Sequence, residues 1–302
     1  MTRPSPQTDR IRWIVDLLAQ SPQKSFTLAQ IARHVGVAKA TVVPALAALT
    51  SAGWLIRHPV RKTYRLGPAL VDIGRAAEHA TVPDDTSCRL VELSAATGAA
   101  SLLWQVSDDE LVLTEIVTAS GPRPNWAGLR RGHCLKPHAP TGAALVAWGD
   151  DDRIEQWMTR DGAIDLGVAR ERIWPGLAAA RRNGFVVELQ DRMQFQLIHR
   201  LRSSGAVDDL VEAVSFHAGE RLAELDYLAA AIDPDASYWP LSINSAVFDR
   251  YGEAELIVCA VDVAGPVDGR EVVRIGALVR EASRQLTAAN RGTTPPSFPA
   301  AP

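Results

Sequence analysis

Six polar residues near the N-terminus have the types and spacing to contact a nucleic-acid backbone. They are Lys39, Thr41, Arg57, Arg61, Lys62 and Arg65. Lysine and arginine bind phosphate oxygens and release the counterions condensed on DNA, so a basic helix start followed by a basic hairpin predicts DNA binding. A small helical bundle with an ordinary basic surface, or a protein- or RNA-binding module, is the alternative explanation of the same pattern.

The elements that must position these residues are a helix, a turn, a second helix and a hairpin. Residues 28–35 place apolar side chains at helical spacing, Thr27 before them is suited to an N-cap, and Gly36 ends the helix. A second helix runs to Gly53, and residues 54–66 read as two short strands around a basic turn. In this arrangement the second helix enters the major groove and the hairpin lies against the backbone.

Charge is distributed unevenly along the chain. Residues 1–80 carry eleven basic and four acidic side chains, whereas the rest of the chain carries 21 basic and 31 acidic side chains. A basic N-terminal segment is the electrostatic footprint expected for a polyanion partner, and the acidic remainder is unsuited to lie along DNA.

The N-terminal segment resembles the DNA-binding domain of the IclR family of bacterial transcription regulators. The resemblance rests on Lys39-Ala40-Thr41 at the start of the second helix and on Tyr64-Arg65-Leu66-Gly67-Pro68 at the end of the hairpin. The family usually has Ser where this chain has Ala40 and Arg where it has Pro44, a residue that is disfavoured in a helix interior. The resemblance implies a regulator of transcription that binds double-stranded operator DNA through the six residues named above.

The resemblance continues in the second half of the chain. Residues 243–249, followed by Gly252, match a late strand of the family in frame, and Val263-Ala264-Gly265-Pro266 fits the end of the next strand. Pro137-His138-Ala139 is a looser match to the segment before a small helix. The implied fold class is α+β: an N-terminal winged helix-turn-helix, a linker helix and a C-terminal GAF-like α/β effector-binding domain.

Composition and helix breakers predict the domain boundaries. These are a disordered arm over 1–8, the winged helix-turn-helix over 9–67, the linker helix over 68–83, the effector-binding domain over 84–290 and a disordered tail over 291–302. The family pattern needs fewer residues than the chain has near 190–235, which predicts an insertion there with an amphipathic helix at Val207–Leu228. The insertion is expected to cap the ligand pocket, to form an oligomer contact, or to add packing to the same domain.

By the family resemblance, five residues are expected to bind the effector: Trp126, His138, Ser242, Asn244 and Ser245. The Asn and Ser side chains are suited to orient a carboxylate or a hydroxyl group, and Trp126 lies in a Gly- and Pro-rich loop where it can form an apolar wall. The expected effector is a small molecule, such as an organic acid or an aromatic metabolite.

Sequence motifs for catalysis are missing, because there is no nucleophile elbow, phosphate loop or dinucleotide-binding glycine pattern. No catalytic residue, cofactor or enzymatic activity is therefore predicted. His133-Cys134 and His138 supply three potential metal ligands, but a structural zinc site normally needs four, so no metal is predicted. The alternative function is a metabolite-converting, enzyme-like sensor domain that carries a vestigial helix-turn-helix.

The expected assembly and location follow from the same reading. Helix-turn-helix regulators bind paired half-sites, so we expect a homodimer or a dimer of dimers. No apolar run approaches the roughly 20 residues needed to cross a bilayer, and no signal peptide is evident. Three widely spaced cysteines do not form a disulfide framework. We expect a cytoplasmic protein that does not bind membranes.

Overall fold

The computed structural model describes residues 5–81, 85–123, 125–126, 129–160, 166–196 and 227–300. The chain divides into two compact units, Met1–Val82 and Pro83–Pro302, and each unit has a hydrophobic core of its own. The predicted fold class is confirmed, because a winged helix-turn-helix is followed by a mixed α/β unit.

The N-terminal unit is a winged helix-turn-helix. Its elements are α1 (Pro6–Gln20), β1 (Phe26–Thr27), α2 (Leu28–Val35), α3 (Lys39–Ser51), β2 (Leu55–Arg57), β3 (Thr63–Leu66) and α4 (Ala69–Thr81). The strands form one antiparallel sheet in the order β1-β3-β2, so the β2–β3 hairpin is the wing. The disordered arm predicted over 1–8 is wrong for residues 5–8, because α1 begins at Pro6, where a missing N–H costs nothing.

The ends of α2 follow from its flanking residues, as the sequence predicted. The Thr27 hydroxyl oxygen accepts a hydrogen bond from the Gln30 N–H at 3.3 Å, and the Gln30 side chain accepts one from the Thr27 N–H at 2.8 Å. This reciprocal pair satisfies two amides that the helix leaves unpaired. Gly36 ends the helix with a φ of 73°, a left-handed conformation that favours glycine.

The C-terminal unit is built on one antiparallel sheet. Its elements are α5 (Thr86–Thr97), β4 (Ala100–Ser107), β5 (Glu110–Thr118), β6 (Gly121–Pro122), β7 (Asn125–Trp126), β8 (Leu129–Arg130), β9 (Cys134–Leu135), α6 (Ala143–Val146), α7 (Asp151–Thr159), α8 (Leu166–Arg172), α9 (Trp174–Asn183), β10 (Val186–Leu189), β11 (Ser237–Tyr238), β12 (Pro240–Phe248), β13 (Ala254–Val261), β14 (Val267–Asp268) and α10 (Gly269–Ala289). The strand order is β10-β12-β13-β4-β5-β6, and β9 also pairs with β5.

The two faces of this sheet pack against different helices. Because side chains alternate along a strand, Ile243 and Val247 of β12 share one face, which α10 covers, while Ala246 and Phe248 share the other. The second face forms the main core together with residues of α6, α7 and α9. We call this second face the core face of the sheet.

The segment after α10 is packed onto the core face. Phe298 is only 5% exposed, and its ring centroid lies 5.1 Å from that of Trp148 and 5.2 Å from that of Phe248. A Cβ added at Gly292 would lie 1.8 Å from the Phe248 carbonyl oxygen, so the backbone passes directly against the end of β12. The prediction of a disordered tail over 291–302 is therefore wrong for residues 291–300, because one aromatic anchor holds a segment that has no periodic pattern.

The predicted insertion near 190–235 lies mostly outside the described residues, which exclude 197–226. Leu228, the last residue of the helix predicted at Val207–Leu228, forms an antiparallel bridge to Glu188 and is not helical. Tyr227 and Leu228 are both buried in the main core. The end of that predicted helix is thus an extended strand-like segment beside β10.

The anchoring role of the tail gives a first prediction. Phe298→Ala removes a buried aromatic ring from the core and should lower the free energy of unfolding by about 3–5 kcal/mol. Thr294→Ala, at an exposed position of the same segment, should stay within about 0.5 kcal/mol of the wild type. Urea denaturation of both variants is the measurement, and equal stability of the two would contradict a packed tail.

Candidate DNA interface and effector site

Helix α3 presents one buried and one exposed face. Val42, Leu46 and Leu49 are buried in the core of the N-terminal unit, whereas Lys39 and Thr41 are exposed in the first turn. Helix-turn-helix proteins contact base edges through the N-terminal residues of this second helix. The geometry therefore brings Lys39 and Thr41 to the position from which such contacts are made.

The wing concentrates the basic side chains. Arg57 ends β2 with its guanidinium 5.7 Å from the Tyr64 ring centroid, Arg65 lies exposed on β3, and Arg61 and Lys62 are exposed in the connecting turn. Within the described part of the chain, none of these four cations forms an ion pair. Their charges are consequently available to an external anion.

The wing turn is organised by a histidine. The Nδ1 atom of His58 accepts hydrogen bonds from the N–H groups of Val60 at 3.2 Å and Arg61 at 3.1 Å. Lys62 has a φ of 54°, and its N–H donates to the His58 carbonyl oxygen at 3.0 Å. These bonds hold Arg61 and Lys62 at the tip of the hairpin.

A second group of polar side chains is buried on the core face of the C-terminal unit. Strands β10 and β12 pair so that Glu188 lies directly opposite Ser242. The Ser242 hydroxyl donates to the Glu188 carboxyl at 2.5 Å, and the Asn244 Nδ2 atom donates to the Ser242 oxygen at 2.9 Å. All three side chains are less than 9% exposed. We call Glu188, Ser242 and Asn244, with Tyr227, the polar cluster.

One buried hydrogen-bond acceptor of the polar cluster, the side-chain oxygen of Asn244, has no partner among the described residues. Asn244 and Tyr227 are also close enough to Glu188 to lower the pKa of its carboxyl by hydrogen bonding. Because the amide nitrogen of Asn244 donates to the Ser242 hydroxyl, its oxygen Oδ1 faces the other way, and this buried oxygen has no hydrogen-bond partner among the described residues. An unpaired buried acceptor costs roughly 1–3 kcal/mol, which a bound donor would recover.

Burial sets the protonation of the groups in and around the polar cluster. It raises the pKa of the Glu188 carboxyl, and the hydrogen bonds that this carboxyl accepts offset part of the increase. Burial and the neighbouring Glu188 raise the pKa of the Tyr227 hydroxyl well above its ordinary value, and the same two causes raise that of the Cys259 thiol. Tyr227 and Cys259 therefore stay protonated near neutral pH, so Cys259 is not poised as a thiolate nucleophile.

The structure separates the five residues predicted to bind an effector. Ser242 and Asn244 lie together, but Ser245 points to the opposite face of β12, where its hydroxyl donates to the Gly184 carbonyl at 2.8 Å. Trp126 lies on β7, and its strand neighbour β8 contacts β5. His138 follows β9, is half-buried, and its Nδ1 lies 3.2 Å from the Ala139 carbonyl oxygen.

The distance between these groups follows from the strand order. Strands β13 and β4 lie between β12 and β5, so Asn244 and the β5 side of the sheet are about 14 Å apart at the usual strand spacing of about 4.8 Å. Sequence reasoning missed Glu188 and Tyr227. A charged residue inside the apolar run Val186–Leu189 was the available signal.

The described ranges contain neither a metal-binding cluster nor a single membrane-spanning helix. No group of three or more His, Cys, Asp or Glu side chains there is arranged to hold a metal ion. No single described helix has the length and apolarity to cross a membrane, although α2 and α3, bent by 110°, pass that test as a pair on length and composition alone.

Comparisons with known proteins agree with the fold. The family model described as the IclR helix-turn-helix domain matches residues 8–59. An IclR protein of Thermotoga maritima has a similar structure, with a TM-score of 0.59, 14% identity, and coverage of 94% of this chain and 98% of that one. A search of curated protein sequences gives no match.

Two further solved structures resemble the whole chain. An IclR homologue of Microbacterium hydrocarbonoxydans, complexed with 4-hydroxybenzoate, has a TM-score of 0.55, 15% identity, and coverage of 94% of this chain and 99% of that one. An IclR transcriptional regulator of Alicyclobacillus acidocaldarius has a TM-score of 0.53, 18% identity, and coverage of 95% and 100%. At such identities these likenesses establish the fold.

The buried carboxyl gives a prediction on pH. Because the pKa of Glu188 is raised in the folded protein, folding takes up protons there, and this contribution to stability is complete at low pH and lost as the pH rises. The wild type should therefore gain stability relative to Glu188→Gln as the pH falls from about 8 to about 5. Thermal unfolding of both proteins across this range is the measurement.

Glu271 on α10 is a control for which the expected change of stability with pH has the opposite sign. Hydrogen bonding to Arg274 lowers the pKa of Glu271 from its ordinary value of 4.5, so the wild type should keep its stability relative to Glu271→Gln down to about pH 5 and lose it only as the pH falls further. A difference between wild type and Glu188→Gln that does not change with pH would mean that the carboxyl is not buried as described.

Proposed function

We propose that the chain is an IclR-type transcription regulator, which binds operator DNA under the control of a small-molecule effector held in its C-terminal unit. The observation that carries the proposal is the match of residues 8–59 to the IclR helix-turn-helix domain, in a unit whose α3 and wing carry exposed cations that form no ion pair with any described residue. A mobility-shift assay with DNA from the protein's own upstream region is the direct test.

We propose that six residues contact the DNA: Lys39, Thr41, Arg57, Arg61, Lys62 and Arg65. The four wing cations are exposed, free of ion pairs within the described residues, and held on a short hairpin, which suits them to phosphate. Ala38, which precedes α3, has no side chain that can cap the helix, so a phosphate oxygen can accept from the first amides of α3 beside Lys39.

The proposed effector site includes the polar cluster. The support is a buried, ordered set of polar groups on the core face, with one amide oxygen left unpaired among the described residues. The structural relative from Microbacterium hydrocarbonoxydans was solved with 4-hydroxybenzoate, which makes a small aromatic or organic-acid effector reasonable for this fold. Ser242 and Asn244 remain in the proposed site, whereas Ser245, on the opposite face, does not.

The chemistry of the polar cluster suits a hydrogen-bond donor. The Asn244 oxygen can only accept a hydrogen bond, and the nearby Glu188 carboxyl, when ionised, repels a second anion. A hydroxyl or amine group of the effector is therefore proposed to face Asn244. Trp126 and His138, near β5, are proposed to contact the other end of the effector or its surroundings.

Control of DNA binding follows from linkage. In a homodimer or a dimer of dimers, an effector that binds one arrangement more tightly shifts the population toward it, and DNA affinity changes by the same free energy. We place such a protein in the cytoplasm, where its operator is found. The linker helix, α4 (Ala69–Thr81), is proposed to transmit the change to the DNA-binding heads.

The alternative proposal is an enzyme-like sensor that converts a metabolite. The buried Cys259 and Tyr227 are held protonated, which does not favour them as nucleophile or base. Incubation of the purified protein with a metabolite panel, followed by product analysis, separates the two functions, because turnover would support the enzyme and overturn a purely regulatory role.

The wing gives a prediction on salt dependence. Arg61→Ala with Lys62→Ala should weaken binding to all DNA sequences alike and reduce the slope of log affinity against log salt by about one to two. Fluorescence anisotropy at several salt concentrations is the measurement. Lys24→Ala, which removes one exposed positive charge before α2, is the control and should change the slope less than the double variant does. A slope that does not change would rule out phosphate contacts at the wing tip.

The polar cluster gives a prediction on effector binding. We expect hydroxyl-bearing probes, tested as 4-hydroxybenzoate and 4-hydroxybenzyl alcohol, to bind more tightly than benzoate, and Asn244→Ala to weaken them about tenfold, the loss of roughly one hydrogen bond. Calorimetry is the measurement, and Ser245→Ala, one residue away on the opposite face, is the matched control. Equal binding to wild type and Asn244→Ala would make Asn244 a structural residue.

A further inference from the structure

The exposed face of α3 is almost entirely apolar. Between Ala40 and Ala48 the only polar side chain is that of Thr41. Val43 is 47% exposed, and its neighbour Pro44 is exposed as well. A large exposed valine on the helix that enters the major groove is not required by the core, because Val42, Leu46 and Leu49 already supply the buried face.

This face lacks the side chains that read bases by paired hydrogen bonds. Discrimination of guanine or adenine in the major groove commonly uses Arg, Lys, Asn or Gln in a bidentate contact. Along α3 only Lys39, at the first position, belongs to that group. Pro44 adds no donor, and without an N–H it leaves the Ala40 carbonyl without its usual helical hydrogen bond.

The groove contains one group that an apolar surface can recognise. The C5-methyl group of thymine is the only apolar feature on the major-groove edges of the four base pairs, and it is contacted by Ala, Thr and other apolar side chains. We infer that α3 reads its DNA through thymine methyl groups packed against Val43 and Pro44, so each half-site has A·T pairs at these positions. This inference rests on the proposed DNA binding.

The short side chains around Val43 support this arrangement. Ala40, Ala47 and Ala48 are exposed and small, so nothing on this face holds the helix away from the floor of the groove. The charges that bind phosphate lie at Lys39 and on the wing, apart from this apolar face. Affinity and base discrimination are therefore carried by different residues of the same unit.

The first experiment identifies a DNA probe and then removes its methyl groups. Duplexes are selected by the full-length protein from a random-sequence library, and the enriched duplex is resynthesised with uracil in place of thymine, one position at a time. Uracil pairs as thymine does but lacks the C5-methyl group. Each contacted methyl should be worth about fourfold in affinity, equivalent to about 0.8 kcal/mol for one buried methylene-sized group.

The second experiment assigns the effect to the helix. Val43→Ala changes an exposed position to a residue with higher helix propensity, so the helix should be retained. The substitution should reduce the ratio of the affinity for thymine to the affinity for uracil toward one at the contacted position. Val60→Ala removes the same atoms from the exposed wing tip, where Val60 is 81% exposed, and should leave that ratio unchanged. A circular dichroism spectrum equal to that of the wild type verifies the fold of each variant.

Other outcomes would overturn the inference in distinguishable ways. If duplexes are enriched but uracil changes affinity by less than about 1.5-fold everywhere, bases are read by hydrogen bonds and the inference is wrong while DNA binding stands. If DNA is retained without any sequence enrichment, the helix does not read bases. If no DNA is retained at low salt, the proposed function fails, and the inference fails with it.

Discussion

The main sheet of the C-terminal unit has two faces that must both be buried, and this requirement determines most of what surrounds it. Strand β12 is buried at eight of its nine positions. The long helix α10 and α5 cover one face, and the shorter helices α6, α7 and α9 cover the other. The C-terminal segment covers the part of the core around Phe248, because Phe298 packs against the Phe248 ring and belongs to the same core.

The polar cluster is the exception, because it places polar side chains at the buried β10–β12 pair, where the loss of their hydration costs free energy. A carboxyl group taken out of water requires donors, and Glu188 accepts a hydrogen bond from the Ser242 hydroxyl, which in turn accepts one from the Asn244 amide nitrogen. This chain of hydrogen bonds fixes the orientation of the Asn244 amide. The amide oxygen, which has no partner among the described residues, therefore faces away from Ser242, where the donor group of a ligand would compensate it.

Much of the fold could be predicted from the sequence, because it depends on local patterns. Helical periodicity and capping residues located α2 between Thr27 and Gly36, and turn residues separated β12 from β13. The polar cluster depends on non-local pairing: Glu188 and Ser242 are 54 residues apart, and only the register of two strands brings them together. The anchoring of Phe298 is non-local for the same reason. Alternation along β12 did contain the signal that separates Ser245 from Asn244, because neighbouring residues face opposite sides.

In the N-terminal unit, the residues proposed to bind phosphate and those proposed to contact bases are different, and this separation affects how DNA binding can be regulated. The proposed phosphate contacts of the wing cations do not depend on base sequence, whereas the apolar face of α3 is suited to one kind of base contact, that with thymine methyl groups. A single head with limited base discrimination gains specificity chiefly when a second head binds a second half-site at a fixed spacing, because the second contact then becomes intramolecular. In the proposed homodimer, the spacing of the heads therefore governs operator affinity more strongly than any one side chain of α3. An effector that biases this spacing by a small free energy can switch such a protein without changing the DNA-contacting residues at all.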